Sequence, residues 1–279
     1  FAGPVDDVAP GEDAFSPLQQ ESQICAPCHF GAFWDTLVYN SFGEWLNSAY
    51  SQEGGQTCQD CHMPHLGVTQ FARTEVGGLH RDPETIFSHR MPGAADEELL
   101  QNAVSMDVDT NMADSQISVT VTIINDKTGH HIPTDSPLRH MILLVDVADS
   151  EGNPLPQVDG PTVPLWGGVA QLDGEADLLA GSYAGRPGTA YAKILQEMWT
   201  EVAPTGAYWN PTRILSDNRI PALESDTGIY TFQASQAEGS VEVSVRLLFR
   251  RAFIELMDQK GWNVPDILME EETIVILKE

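Results

Sequence analysis

The sequence predicts an α+β protein in which a loop-rich, helical N-terminal domain, residues 1–115, precedes an antiparallel β-sandwich domain, residues 116–279. Two observations predict this division. The first part contains all 4 cysteines and is rich in Gly, Pro and His. After about residue 115 the apolar residues alternate with polar ones, as they do in half-buried strands. A length of 279 residues is enough for two domains.

Helices are expected at three places in the first domain, after an acidic arm that covers residues 1 to about 20. Ser16 is a candidate N-cap and Pro17 a candidate first helical residue, so a helix should lead into the first cysteine pair. Apolar residues recur at near-helical spacing between residues 33 and 50. A short helix with acids in its first turn is expected at residues 94–104. Residues 63–93 are expected to form a loop.

The second domain should consist of strands joined by loops rich in Pro and Gly. Alternation predicts strands at residues 117–123, 141–147, 230–232, 241–249 and 274–277. A short helix is expected near Phe253, ending at Gly261. Residues 150–226 have little pattern and are expected to be long loops. Residues 107–111 begin like a calcium loop, but Met112 and Ser118 replace its Gly and Glu, so an acidic linker is expected there.

The charge balance excludes several classes of function. Lys and Arg number 14 against 41 Asp and Glu, which gives a formal net charge of −27. A nucleic-acid binder needs a basic surface, and binding to anionic lipid is also disfavoured. No apolar stretch approaches the roughly 20 residues of a spanning helix, so no membrane span is expected.

Two pentapeptides contain all the cysteines: Cys25-Ala26-Pro27-Cys28-His29 and Cys58-Gln59-Asp60-Cys61-His62. Each is a C-x-x-C-H motif, which is typical of covalent c-type haem attachment. Residues three and four apart share a helix face, so two thiols can reach the porphyrin vinyl groups while the histidine reaches the iron. The sequence therefore predicts two covalent haem c groups, with His29 and His62 as proximal ligands.

Other cysteine chemistry fits less well. A four-cysteine zinc site has paired C-x-x-C motifs closer together, at about 15–20 residues, and gives no reason for the two histidines. A disulfide framework does not explain the two histidines either. A thioredoxin-like motif is expected near a βαβ pattern, which this sequence does not show. Thioether attachment takes place outside the cytoplasm in the chemistry that this motif implies. We therefore expect a periplasmic, extracellular or cell-surface location, with a signal peptide already removed.

The distal iron ligands are less determined. His65 is tethered too close to His62 to reach the opposite face of the same haem. Met63 and Met91 are thioether alternatives. The remaining candidates are His80, His89, His130, His131 and His140.

Several segments resemble the multihaem c-type cytochrome superfamily related to cytochrome c-prime-like tetrahaem proteins, whose members often have a C-terminal immunoglobulin-like sandwich. The resemblance lies in residues 57–64 (TCQDCHMP), 44–48 (EWLNS), 88–93 (SHRMPG), 129–134 (GHHIPT) and 217–221 (DNRIP).

The resemblance implies His89 and His130 as distal ligands, although His131 beside His130 leaves that choice open. This chain departs from the family pattern in two ways. Many relatives bind four or more haems, and Asp135 stands where the pattern often has Gly.

A haem iron with two protein ligands has no vacant site for a substrate, so one-electron transfer is the expected function. The protein would act as a carrier, a relay or a unit of a larger haem chain. The alternative is a haem enzyme, peroxidase-like or a nitrogen-oxide reductase, with one open iron site. Redox partners should be basic or apolar at the contact, because the chain is so acidic. The N-terminal arm and residues 150–226 are candidates for contacts in a homo-oligomer or filament.

Overall fold

The computed structural model describes residues 2–6, 14–168, 181–234 and 239–277. The strands are β1 (Ala2–Gly3), β2 (Ala14–Phe15), β3 (Gly31–Phe33), β4 (Thr36–Tyr39), β5 (Ser105–Ala113), β6 (Gln116–Ile124), β7 (His140–Asp149), β8 (Gln157–Asp159), β9 (Gly188–Glu197), β10 (Thr212–Asp217), β11 (Ser225–Gln233), β12 (Ser240–Arg250) and β13 (Ile267–Leu277). The α-helices are α1 (Ala26–His29), α2 (Ser41–Leu46), α3 (Cys58–His62), α4 (Glu97–Gln101) and α5 (Ile254–Lys260). Single 3-10 turns span Pro17–Gln20, Ser22–Cys25, Ala49–Ser51, Thr74–Val76, Pro83–Thr85 and Leu165–Gly167.

The described structure is mostly β, so the predicted α+β class, a helical dihaem cytochrome domain followed by an immunoglobulin-like sandwich, is wrong. Three antiparallel sheets run through the chain, and one of them, the β3–β4 hairpin, lies in the part expected to be helical. The longest α-helix among the described residues, α5, has only 7 residues.

The helix expected between residues 33 and 50 forms only in part, as α2 (Ser41–Leu46), and the first part of this segment is a hairpin for a local reason. Trp34 and Asp35 have positive φ angles of 54° and 62°, so the chain reverses there instead of continuing as a helix. In β4, Thr36 and Val38 then alternate as buried residues with half-exposed neighbours. Pairing in a hairpin thus overrides a helical spacing that is too short to be stable alone.

Two large sheets face each other across one core. The five-stranded sheet has the order β10-β9-β7-β12-β13, and the four-stranded sheet has the order β5-β6-β11-β8. In β6 every second residue is buried, as the alternation predicted. Apolar side chains of both sheets meet in this core, among them Ile117, Val121, Met141, Val145, Tyr230, Val243 and Leu247.

The strands predicted from alternation are confirmed in β6, β7, β11, β12 and β13, and so is α5 with Gly261 after it. Residues 107–111 are not a linker, because they belong to β5, which pairs with β6 along its whole length. Part of the predicted long loop is β9, a strand buried on both faces. Residues 169–180 of that loop lie outside the described part of the chain.

Buried polar contacts join the N-terminal part to the five-stranded sheet. Lys193 in β9 is 2% exposed, and its ammonium donates to the backbone carbonyls of Leu37 and Val38 in β4. Burial lowers the pKa of Lys193 to about 8. Within the described residues, no helix combines the length and the apolar character needed to cross a bilayer.

Candidate functional site

The second cysteine motif forms a capped helical turn. Thr57 caps α3, because its hydroxyl accepts from the Asp60 amide at 3.3 Å while the Asp60 carboxylate accepts from the Thr57 amide at 2.7 Å. This reciprocal capping box fixes the start of the turn. Cys58 and His62 are four residues apart and therefore lie on the same face, as haem attachment requires.

The first cysteine motif packs against the second. Cys25 ends a 3-10 turn and α1 continues to His29. The Cys58 amide donates to the Ser22 hydroxyl at 3.0 Å, and the Cys58 thiol lies close enough to Cys25 to influence its ionisation. Burial, followed by the Cys58 thiol, raises the pKa of Cys25 to about 11. The two attachment points are therefore neighbours.

A single cavity connects the two motifs. Its volume is about 760 Å³, within the range of about 300–1,000 Å³ that is usual for cofactor pockets. Apolar side chains form much of its wall, including Phe42, Trp45 and Ile132. The predicted site residues that line it are Cys25, His29, Cys58, Cys61, His62 and His130.

His62 and His130 face each other in this cavity. Their ring centroids are 6.3 Å apart and their planes differ by 16°. Two imidazoles that bind one metal from opposite sides at about 2 Å have ring centres about 6 Å apart. The centroid separation of His62 and His130 is close to this value.

The second nitrogen of each ring is already occupied by a hydrogen bond. Nδ1 of His62 donates to the Pro92 carbonyl at 2.7 Å, and Nδ1 of His130 donates to the His131 carbonyl at 2.9 Å. Such bonds fix the tautomer in which Nε2 is free for a metal. Burial lowers the pKa of His130, which favours the neutral, ligating form.

His131 is directed away from the His62 ring. Its Nδ1 lies 3.8 Å from Oε1 of Glu44, and its amide donates to Oε2 of the same carboxylate at 3.2 Å. Glu44 thus holds the loop 125–139, and the adjacent His130 is the residue that faces His62. Of the two neighbouring histidines, His130 is therefore the one whose ring lies next to His62.

His29 has a different environment. Its Nδ1 donates to Oδ2 of Asp135 at 2.6 Å, and the Ser41 amide donates to Oδ1 of Asp135 at 3.0 Å. The hydrogen bond to Asp135 is the main cause of a raised pKa of His29. Burial alone would raise the pKa of Asp135, but the bonds from His29 and Ser41 lower it. No imidazole among the described residues faces His29 as His130 faces His62.

The other candidate histidines do not line the cavity. His89 is exposed and His80 is exposed on the same long loop. His65 packs against Phe87 with ring centroids 4.4 Å apart. Met63 and Met91 do line the cavity. The structure therefore brings His130 to a motif but does not bring His89 to one.

His140 lies in the core of the β-rich part. It stacks on Phe253 at 4.9 Å and meets Trp166 edge-on at 5.4 Å. Burial lowers its pKa to about 3. These contacts are those of a packed core residue.

Two important residues were not among the predicted site residues. Asp135 was singled out only as a departure from a family pattern, and Glu44 only as part of a matching segment. Their roles depend on partners far along the chain, since the His29–Asp135 bond spans 106 positions and the Glu44–Thr134 bond spans 90. For Asp135, the departure from the family pattern was the one sequence signal of a functional role.

No family model matches the sequence, and no curated protein matches it. Among solved structures, the chain is similar to a penta-heme cytochrome c552 from Thermochromatium tepidum, with a TM-score of 0.64 and 20% identity over 94% of this chain. The match covers 58% of that cytochrome. The chain thus has the fold of part of a multihaem cytochrome c.

A second similar structure is the ASH / PapD-like domain 7 of human CEP192. The TM-score is 0.23 and the identity 7%, over 72% of this chain and 100% of that domain. A similarity this low carries no information about the fold.

Proposed function

We propose that the chain is a dihaem c-type cytochrome unit that transfers single electrons. One haem c is bound covalently at Cys25 and Cys28, and the other at Cys58 and Cys61. The observation that carries this proposal is the pair of facing rings, His62 and His130, 6.3 Å apart in a cavity that both cysteine motifs line. The shared fold with a penta-heme cytochrome supports it.

The residues present fit such a group. The free thiols supply the attachment points, and His62 and His130 supply two neutral imidazoles for one iron. When bound, the haem supplies one-electron Fe(III)/Fe(II) chemistry. The apolar walls suit the faces of a porphyrin, and the backbone carbonyls of Pro92 and His131 hold the rings in their ligating tautomer.

The first haem is bound through His29, with His89 as the proposed distal ligand on the basis of the family resemblance. In this proposal residues 1–115 hold both haems. Residues 116–279 present His130 and Asp135 to them from the loop 125–139. Attachment through thioethers places the protein outside the cytoplasm.

A partner that is apolar at the contact has a candidate surface. Trp34 and Trp209 are 61% and 66% exposed, and the Trp34 indole donates to the Trp209 carbonyl at 3.1 Å. Tyr208 packs next to Trp209, with ring centroids 5.6 Å apart. A redox partner with a basic or apolar face would suit this acidic chain.

Mass spectrometry and optical spectroscopy of the matured protein test the proposal. We expect a mass increase of two haems, and the loss of one haem in each of the double variants C25A/C28A and C58A/C61A. The ferric spectrum should be low-spin and unchanged by cyanide, and the ferrous spectrum should be unchanged by carbon monoxide. Colourless protein of unmodified mass would refute the proposal, and a high-spin, ligand-binding fraction would favour a haem enzyme with an open iron.

A further inference from the structure

We propose that Asp135 is a positioning residue that holds the reduction potential of the first haem below that of the second. This inference rests on the proposed function, in which His29 and His62 are proximal ligands of two separate haems. It concerns how the protein makes the two sites unequal.

The two proximal histidines differ in the charge of their hydrogen-bond acceptor. Nδ1 of His29 donates to the carboxylate of Asp135 at 2.6 Å, a length typical of a charge-assisted bond. Nδ1 of His62 donates to the neutral carbonyl of Pro92 at 2.7 Å. The distal candidate His130 also donates to a backbone carbonyl. Only the first motif therefore has an anionic partner for its ligand.

The position of Asp135 is costly to the fold. The residue is 7% exposed and has a φ of 59°, in the left-handed region that most side chains avoid. A buried carboxylate and a left-handed backbone both cost free energy, and such costs concentrate at functional positions. The family pattern that this segment resembles often has Gly here. The carboxylate of Asp135 is thus an addition to a backbone conformation that Gly would adopt freely.

A carboxylate that accepts the Nδ1 proton makes the imidazole a more basic ligand. A more basic ligand stabilises ferric over ferrous iron, so the reduction potential falls. His29 therefore has an anionic hydrogen-bond partner, which His62 does not have.

The variant D135N tests the inference, because it keeps the side-chain size and removes the charge. In a spectroelectrochemical titration, each ferric haem takes one electron from the electrode. We expect the ferrous-to-ferric ratio of the first haem, at its original midpoint, to rise about tenfold, which corresponds to about 59 mV for a one-electron couple. The potential of the second haem should change much less.

D35N is the matched control. Asp35 is exposed and has a φ of 62°. This variant therefore removes the same charge from a residue with the same left-handed backbone conformation, away from both histidines. It should leave both potentials unchanged. D135G is the second test variant, because Gly suits the left-handed conformation, and it should raise the first potential as D135N does.

The possible outcomes separate this inference from the proposed function. D135N and D135G proteins that retain two haems with both potentials unchanged would overturn the inference and leave the proposed function intact. Wild-type protein without two haems would instead overturn the proposed function. A further readout needs no variant: near-infrared charge-transfer bands should show imidazolate character at one haem only, and two neutral-imidazole haems would contradict the inference.

Discussion

Glu44 in α2 accepts a hydrogen bond from Arg219 at 2.7 Å, although 175 positions separate the two residues in the chain. Both side chains are buried, with 1% and 5% exposed. Asp217 binds the other side of the guanidinium through two bonds of 2.8 Å. Burial alone would raise the pKa of Glu44, but Arg219 and Thr134 lower it, so the carboxylate is ionised. This ion pair anchors α2 beside the cavity.

The R219M variant should destabilise the protein by about 3–5 kcal/mol, because it leaves the Glu44 carboxylate buried without its cation. The E44Q variant should cost less, since Arg219 keeps Asp217. Chemical denaturation followed by circular dichroism measures both. R186M is the control, because its pair with Asp146 is about a third exposed and should contribute about 1 kcal/mol or less. An R219M protein as stable as R186M would contradict the expectation.

The H130A variant should convert the second haem from low-spin to high-spin, since it removes the ring that faces His62. H131A is the matched control. His131 lies next to His130 but faces Glu44, so its loss should leave the spin state unchanged. Electron paramagnetic resonance of the ferric protein measures the result. High-spin iron in H131A but not in H130A would reverse the ligand assignment.

The H89A variant tests the ligand that only the family resemblance supports. If His89 binds the first iron, its replacement should make that haem high-spin and open to cyanide. H80A, another exposed histidine on the same loop, should have no effect. A spectrum of H89A identical to that of the wild type would refute the assignment.

The stability of the β-rich part should fall in acid because of His140. The unfolded chain protonates this side chain near pH 6.5, whereas the folded protein does so only near pH 3. Between these values the unfolded state binds more protons, so stability rises with pH. At pH 5 the loss relative to pH 8 should be about 2 kcal/mol.

The H140F variant should remove this part of the pH dependence. Thermal unfolding at pH 5 and pH 8, followed by circular dichroism, gives the difference between the two proteins. H80F serves as a control with an exposed histidine. An unchanged pH dependence in H140F would show that another group is responsible.

Sequence patterns predicted those features of the fold and the site that depend on residues close together in the chain. The C-x-x-C-H motifs and the alternating strands β6 and β12 could be found because neighbours in sequence share one environment. The strand β9 was missed because both of its faces are buried, which removes the alternation. The β3–β4 hairpin depends on two left-handed residues, and His130 is distinguished from His131 only by the distant Glu44.

The proximity of Cys25 and Cys58 has a consequence for electron uptake if each motif binds a haem. Two prosthetic groups attached at adjacent points would lie close together in an interior of low dielectric, where charges interact strongly. Once one iron had gained an electron, the added negative charge would oppose a second. The protein would then be reduced in two one-electron steps at well-separated potentials. Between these two potentials the singly reduced form would predominate.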